Sequence, residues 1–314
     1  MVLITGGAGY IGSHLLLELS KLGYGIVVLD DLSNSSMERL DCIKDDYGKK
    51  FNFVRGSFLD RNVLKEVFST YPISCVVHLA SPKSIPESYR NPSYYLEEIP
   101  KGTRVLLSKM AEYGVFNIVY SSSVSVGYSE SPYTLSKSIC ENIIENHCGE
   151  YGNFNAICLR YSNPIGNLDS RLADSGRSNI IPKILRALDS GTTFQVFGAD
   201  FNTSDGTSVR DYVDIMDLTR ANVLAVKNIN RLCGYSLIDI GSGVKTSVLD
   251  LIAKIGGILK IPIPFEFLDS RDGDFGEYTV DMLNSSAVLG WCPTMSVEYS
   301  LNYILKELVN DNTK

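Results

Sequence analysis

The first thirteen residues, MVLITGGAGYIGS, constrain the fold of this 314-residue chain more than any other stretch. Val2, Leu3 and Ile4 read as a short buried strand, Thr5 to Gly9 as a tight turn, and Tyr10 to Leu22 as a helix with apolar Ile11, Leu15, Leu16, Leu19 and Leu22. Gly6, Gly7, Gly9 and Gly12 satisfy both G-x-G-x-x-G and G-x-x-G-x-x-G, spacings that let a backbone turn sharply and approach a pyrophosphate closely. Phosphates placed there meet unpaired amide N–H groups and the positive end of the helix dipole. A second strand, Gly25 to Leu29, ends on Asp30 with Asp31 beside it. A carboxylate about 20 residues beyond the glycines accepts from a ribose 2′-hydroxyl and repels a 2′-phosphate, so the expected cofactor is NAD rather than NADP.

The order of elements continues that pattern. Helical stretches at Asn34 to Tyr47, Asn62 to Tyr71 (capped by Asp60), Gly102 to Tyr113 and Pro132 to Asn146 alternate with strands at Phe51 to Arg55, Cys75 to Leu79, Asn117 to Ser121 and Ala156 to Arg160. Ser93 or Asn91 can start a further helix, with Pro100 as a kink. Such alternation predicts an α/β fold, a doubly wound parallel sheet of the Rossmann type. Past Arg160 the texture changes, with polar, turn-rich tracts at Gly166 to Asn179 and Asp200 to Thr207. Between and after them lie a helix at Ile180 to Leu188 and strands at Phe194 to Phe197 and Val209 to Val213, then a helix at Asp217 to Ile229 and a strand at Tyr235 to Ile240. A helix at Thr246 to Gly256, a strand at Pro264 to Phe267 and a terminal helix at Val297 to Leu308 follow. The segment from Val209 to Ile240 is expected to return to the first domain and lengthen its sheet. The partition is then 1–165 plus about 211–242 for a dinucleotide-binding domain, and about 166–210 plus 243–314 for a smaller, discontinuous α/β C-terminal domain.

Composition closes off other classes. A net charge of −7, with no run of Lys or Arg longer than two, leaves no electrostatic footprint for nucleic acid or an anionic membrane. No apolar run of 18 residues occurs, and the sequence opens directly on a strand, so a cytoplasmic protein is expected. Seven scattered cysteines without a C-x-x-C pair read as reduced thiols, and His14, His78 and His147 lack metal-ligand spacing. No metal site is expected.

The main chemical constellation stands at strand ends. Ser121-Ser122-Ser123 terminates an apolar strand, and Tyr133-x-x-x-Lys137 opens the next helix, four residues apart and therefore on one face. An ammonium on that face favours the phenolate form of the tyrosine and shifts the acid toward working pH, while Ser123 can orient a substrate oxygen. Open α/β sheets bind ligands at this edge.

The chain resembles the extended short-chain dehydrogenase/reductases, and among them the UDP-galactose 4-epimerase family, from Met1 to about Val309. The resemblance is carried by TGGAGYIGSH at Thr5 to His14, SSS at Ser121 to Ser123, YTLSK at Tyr133 to Lys137, LRYSNPIG at Leu159 to Gly166, DGTSVRDYV at Asp205 to Val213 and LGW at Leu289 to Trp291. It implies interconversion of UDP-glucose and UDP-galactose by transient oxidation at sugar C4. Tyr133 would be the base, Lys137 would hold the nicotinamide ribose and depress the tyrosine pKa, and Ser123 would bridge to the sugar 4-hydroxyl. The implied NAD site comprises Gly6, Gly9, Tyr10, Ile11, Gly12, Asp30, Asp31, Ser57, Phe58, Leu79, Ala80, Lys83 and Tyr161 with Tyr133 and Lys137. The implied UDP-sugar site comprises Lys83, Ser123, Tyr133, Asn163, Asn179, Ile180, Phe197, Arg210, Arg271, Asp274 and Tyr278. Of these, Arg210 and Arg271 match the diphosphate arginines, Asp274 an acid on the uridine ribose, and Tyr278 a position that tunes whether an N-acetyl group at C2 fits. The helices Gly102 to Tyr113 and Pro132 to Asn146 match a four-helix contact and imply a homodimer.

The chain departs from the family at three places. Ser123 and Tyr133 are only ten residues apart, so substrate-side loop is missing and a more open site is expected. Gly56-Ser57-Phe58 carries a hydroxyl where the family has a carboxylate, and Ile99 stands at an asparagine position. Those two changes imply altered NAD binding. Val124, where sugar-nucleotide 4,6-dehydratases carry an acid, disfavours a dehydratase. A non-catalytic nucleotide-sugar-binding protein and a 4-epimerase for another UDP-sugar stay open as alternatives.

Overall fold

The computed structural model describes residues 1–174 and 179–311, with side chains described as far as residue 306. Residues 175–178, within the polar tract expected after Gly166, lie outside the described residues. The chain builds its large sheet from β1 (Val2–Thr5), β2 (Ile26–Asp30), β3 (Asn52–Arg55), β4 (Cys75–His78), β5 (Asn117–Ser123), β6 (Asn155–Tyr161) and, much later, β10 (Tyr235–Ile240). All neighbours are parallel, in the spatial order β10-β6-β5-β4-β1-β2-β3. The order reverses between β1 and β4, which opens a crevice beyond their C-terminal ends.

Every residue of β1, β2 and β4 is buried, as parallel strands covered on both faces require. Side-chain alternation then feeds two cores. Val2, Ile4 and Val28 face one, with Leu15, Leu16 and Leu19 of α1 (Tyr10–Lys21). Leu3, Val27 and Leu29 face the other, with α3 (Arg61–Thr70), α5 (Ile99–Glu112) and α6 (Pro132–Glu150). Two short helices, α2 (Met37–Asp41) and α4 (Ile85–Arg90), border the crevice. Asp60 caps α3 through the N–H groups of Asn62 and Val63. Pro100 causes no mid-helix break. A wider π turn, Tyr94–Glu98, runs directly into α5 just before Pro100, the local distortion that a proline within a helical path calls for.

After β6 come β7 (Asn163–Ile165), α7 (Ile180–Asp189), β8 (Phe194–Phe197), β9 (Val209–Asp214) and α8 (Ile215–Asn228). Beyond β10 lie β11 (Lys245–Ser247), α9 (Val248–Leu259), β12 (Phe265–Leu268), α10 (Leu283–Leu289) and α11 (Val297–Asp311). The expected return to the large sheet is only partly observed. β10 joins it beside β6, with Tyr235 opposite Ala156, and α8 packs against α1. β9 instead lies between β7 and β11 in a separate three-stranded sheet, because β10 already occupies the edge of β6. β8 pairs with β12 in a two-stranded sheet, and Ile184, Val196, Leu251, Ile255 and Leu301 form a third core there. Among the described residues no helix is long and apolar enough to cross a membrane.

Candidate active site

The glycine turn between β1 and α1 is shaped by close backbone approach. Gly6 has φ +74°, and a Cβ there would lie 2.8 Å from the Ala80 nitrogen. A Cβ on Gly12 would lie 2.2 Å from the Gly6 carbonyl oxygen. The first turn of α1 thereby stays bare to the crevice, a cradle whose amides and dipole suit a pyrophosphate. At the end of β2, Asp30 is buried and accepts from the Ala8 N–H at 3.0 Å, the Leu32 N–H at 2.9 Å and the Ser35 hydroxyl at 2.8 Å. A carboxylate has about four lone-pair directions, so one stays open toward a ribose hydroxyl. The chain therefore fits a bound NAD.

The next strand ends complete this wall. The Leu79 N–H donates to Thr5 O at 3.1 Å, and Phe58 packs edge-on against His78 with centroids 4.7 Å apart. Ser57 accepts locally from the Leu59 N–H, and Ile99 is buried in the core rather than lining the crevice. Two side chains are committed elsewhere. The Tyr10 hydroxyl donates to Gly166 O at 2.5 Å and the Tyr161 hydroxyl to Asn222 at 2.6 Å, so both line the crevice without a free hydroxyl.

Ser123 at the tip of β5 and Tyr133 in the first turn of α6 line the same crevice, close enough for the serine hydroxyl to lower the tyrosine pKa. The short connection between them leaves Tyr133 on the crevice wall. It folds as one 3₁₀ turn, Val124–Gly127, and Ser131 caps α6 through the Thr134 N–H. Ser125, which motif reasoning passed over, lies 2.7 Å from the Ser123 Oγ and lines the same cavity. Lys137 departs from expectation. Its ammonium donates to Ser121 O at 2.9 Å, 5.1 Å from the Tyr120 ring centroid. Burial raises the Tyr133 pKa, opposed by the Ser123 hydroxyl rather than by Lys137, whose own pKa burial lowers to about 8. Helical spacing placed the lysine on the right face, but the β5 carbonyl competes for it. Behind this group, Arg160 forks onto Glu141 at 2.8 and 2.6 Å, and Ser122 donates to the same carboxylate.

The opposite wall comes from separated segments. Arg210 on β9 donates to Val209 O and Gly276 O, and its guanidinium lies 4.0 Å from the Phe275 ring centroid. Tyr278 is buried and its hydroxyl donates to Asn163 at 2.8 Å. Arg271 forks onto Asp274 at 2.9 and 3.2 Å and lies 4.5 Å from the Phe197 ring. Lys83 stands 4.0 Å from Asp174, to which Asn179 also donates.

One cavity of about 1470 Å³ joins the two walls. Every residue expected in the cofactor and sugar-nucleotide sites lines it except Phe197, which reaches it only through Arg271. Phe197 ends β8, which pairs with β12, and its ring lies behind the Arg271 guanidinium. The arrangement sets a proton-transfer pair beside a dinucleotide cradle, with arginines on the far wall for a second anionic ligand.

Residues 2–241 match the family described as the NAD dependent epimerase/dehydratase family. The chain is 36% identical over 311 residues to a UDP-glucose 4-epimerase of Neisseria meningitidis serogroup A, covering 92% of this chain and 91% of that one. It is 35% identical to the UDP-glucose 4-epimerase of Bacillus subtilis, with the same coverage. Among solved structures, the UDP-glucose 4-epimerase of Bifidobacterium longum in complex with NAD+ and UDP superposes with a TM-score of 0.92 at 29% identity, covering 99% of this chain and 98% of that one. The enzyme of Stenotrophomonas maltophila with bound NAD and formylated UDP-arabinopyranose gives 0.91 at 30% identity, covering 100% and 99%.

Proposed function

The chain belongs to the NAD dependent epimerase/dehydratase family, and on that premise we infer that it is an NAD-dependent UDP-sugar 4-epimerase interconverting UDP-glucose and UDP-galactose. The observation that carries this reading is the meeting of Ser123, Tyr133 and Lys137 with the Gly6–Gly12 cradle in one cavity. NAD, when bound, supplies the acceptor and donor of hydride at sugar C4. The protein moves the accompanying proton. Tyr133 takes it from the sugar 4-hydroxyl and returns it, Ser123 holds that oxygen in line, and Ser125 steers the Ser123 hydroxyl.

Burial raises the pKa of Tyr133 further above its ordinary phenol value, so its work as a base needs positive charge beside it. Lys137, one helical turn away on the same cavity, supplies that charge once it turns from Ser121 O to the nucleotide ribose. Asp30 accepts from the adenosine ribose. Arg210, Arg271 and Lys83 neutralise the UDP diphosphate, and Asp274 and Asn163 orient the uridine and sugar. Tyr278 lies beside the sugar and limits the substituent at C2.

Residues 166–210 and 243–314 form the sugar-nucleotide part in this proposal. A homodimer through α5 and α6 and a cytoplasmic location belong to it as well. The latter is supported by cysteines that are all free of disulfides. Light scattering tests the dimer. The function is tested by following UDP-galactose conversion to UDP-glucose with the absorbance of co-purified cofactor recorded alongside. Turnover is expected, whereas tight UDP-sugar binding without turnover would establish the non-catalytic alternative.

A further inference from the structure

The shortened connection between β5 and α6 does more than close a gap. Tyr128 in this connection is 49% exposed, yet its ring stacks on Phe275 with centroids 5.9 Å apart and planes at 19°. The same ring lies 5.5 Å from that of Tyr278, and Phe275 and Tyr278 are 5.7 Å apart. Phe275 and Tyr278 line the cavity and Tyr128 does not, so Tyr128 backs them from outside.

Its position is fixed at both ends. The Tyr128 N–H donates to Ser125 O at 2.9 Å, and the Ser129 hydroxyl donates to Gly273 O at 3.2 Å across to the segment that carries Phe275 and Tyr278. Thr134, next to Tyr133, donates to Ser129 O at 2.8 Å. Gly273 itself takes the left-handed φ of +81° that favours glycine, with the Tyr89 hydroxyl close beside it. Tyr278 is then held on three sides: its hydroxyl by Asn163, one neighbour by Phe275 under Arg210, and its outer flank by Tyr128. A ring so enclosed cannot swing away from a bulkier ligand without displacing Tyr128.

We propose that Tyr128 is a specificity-determining positioning residue: by backing Phe275 and Tyr278 it holds the sugar-side wall at a width that admits a hydroxyl at sugar C2 and refuses an acetamido group. The inference rests on the reading above that Tyr278 lies beside the sugar. Removing the backing ring lets Tyr278 recede, and overpacking relieved in this way is expected to raise relative efficiency on the acetylated substrate about tenfold.

The test measures kcat/KM for UDP-galactose and UDP-N-acetylgalactosamine in the parent, Tyr128→Ala, Tyr128→Phe and Tyr278→Cys. Tyr128→Ala should shift the ratio toward the acetylated substrate through a lower KM for it, and Tyr128→Phe, which keeps the ring, should retain the parent ratio. A thermal melt accompanies each variant. If Tyr128→Ala melts early, Tyr128→Leu takes its place and must shift the ratio in the same direction. An unchanged ratio in Tyr128→Ala with a shifted ratio in Tyr278→Cys overturns the role of Tyr128 and leaves Tyr278 beside the sugar. A ratio unmoved in both overturns the underlying placement of Tyr278.

Discussion

Asp30 and Asp211 are both buried carboxylates, Asp30 lining the cavity and Asp211 behind its far wall, but they collect their hydrogen bonds from different distances along the chain. Asp30 takes donors from Ala8, Leu32 and Ser35, all within one βαβ passage. Asp211, on the far wall beside Arg210, takes the N–H groups of Ser242, Gly243 and Val280 and the hydroxyls of Ser162 and Ser242. The carboxylate of the cofactor wall is thus held by turns close to it in sequence, whereas that behind the sugar wall is held by segments far apart in sequence. A wall of the first kind depends on backbone geometry. The second kind can be retuned by a loop, as the short Ser123–Tyr133 connection and its aromatic contact suggest.

The largest effect should come from the backbone of the cofactor wall. Gly12→Ala puts a methyl 2.2 Å from Gly6 O, and the resulting strain should lower NAD affinity about 100-fold or more in titrations of nucleotide-free protein. Retained affinity would break the claim that this wall depends on close backbone approach. Tyr133→Phe, at the junction of the walls, removes only the transferable proton. It should lower turnover on the order of 100-fold with UDP binding and melting temperature nearly unchanged. Turnover close to that of the parent would remove Tyr133 as the base.

Acid should act first on the cofactor wall. Burial lowers the pKa of His14 to about 4 and that of His78 to about 3, and both sit beneath that wall. The Leu168 N–H donates to His14 Nε2, so Nδ1 carries the proton given to Tyr10 O and the neutral ring is the form the fold requires. These folded pKa values lie below the unfolded one, so the unfolded state binds more protons in acid. The stabilisation is complete above pH 6.5 and is lost as pH falls toward 4 and 3, on the order of 3 kcal/mol for His14 and 5 kcal/mol for His78. Urea midpoints between pH 7 and 4.5 should fall, and His14→Gln should flatten the slope. A parallel slope in the variant would show that the acid sensitivity lies elsewhere.

The smallest effect is expected from Asp211→Asn. It should cost about 1–3 kcal/mol by disturbing one buried hub and should raise KM for the UDP-sugar. NAD affinity should stay near the parent value, and an equal loss of both ligands would erase the contrast between the walls.

The sequence by itself determined what local spacing can determine. Gly6, Gly9 and Gly12 at helix-opening intervals, Asp30 at the end of the second strand and the four-residue step from Tyr133 to Lys137 each specify a geometry within a single turn or strand. Alternation of strand and helix carried the parallel sheet as far as β6. Short elements such as α4, β7, β11 and α10 hold too few residues to show a period. Only the tertiary structure decided the rest. Whether β9 or β10 takes the edge beside β6 is a competition between strands of similar pattern, settled by long-range packing. Whether Lys137 serves Tyr133 or Ser121 O depends on burial and on which acceptor lies nearest once β5 and α6 are packed together. The meeting of Asn163, Tyr278, Phe275 and Tyr128 arises because three distant segments converge at one cavity rim. No periodicity encodes such a convergence, since it is the closure of the whole chain that brings those side chains within reach.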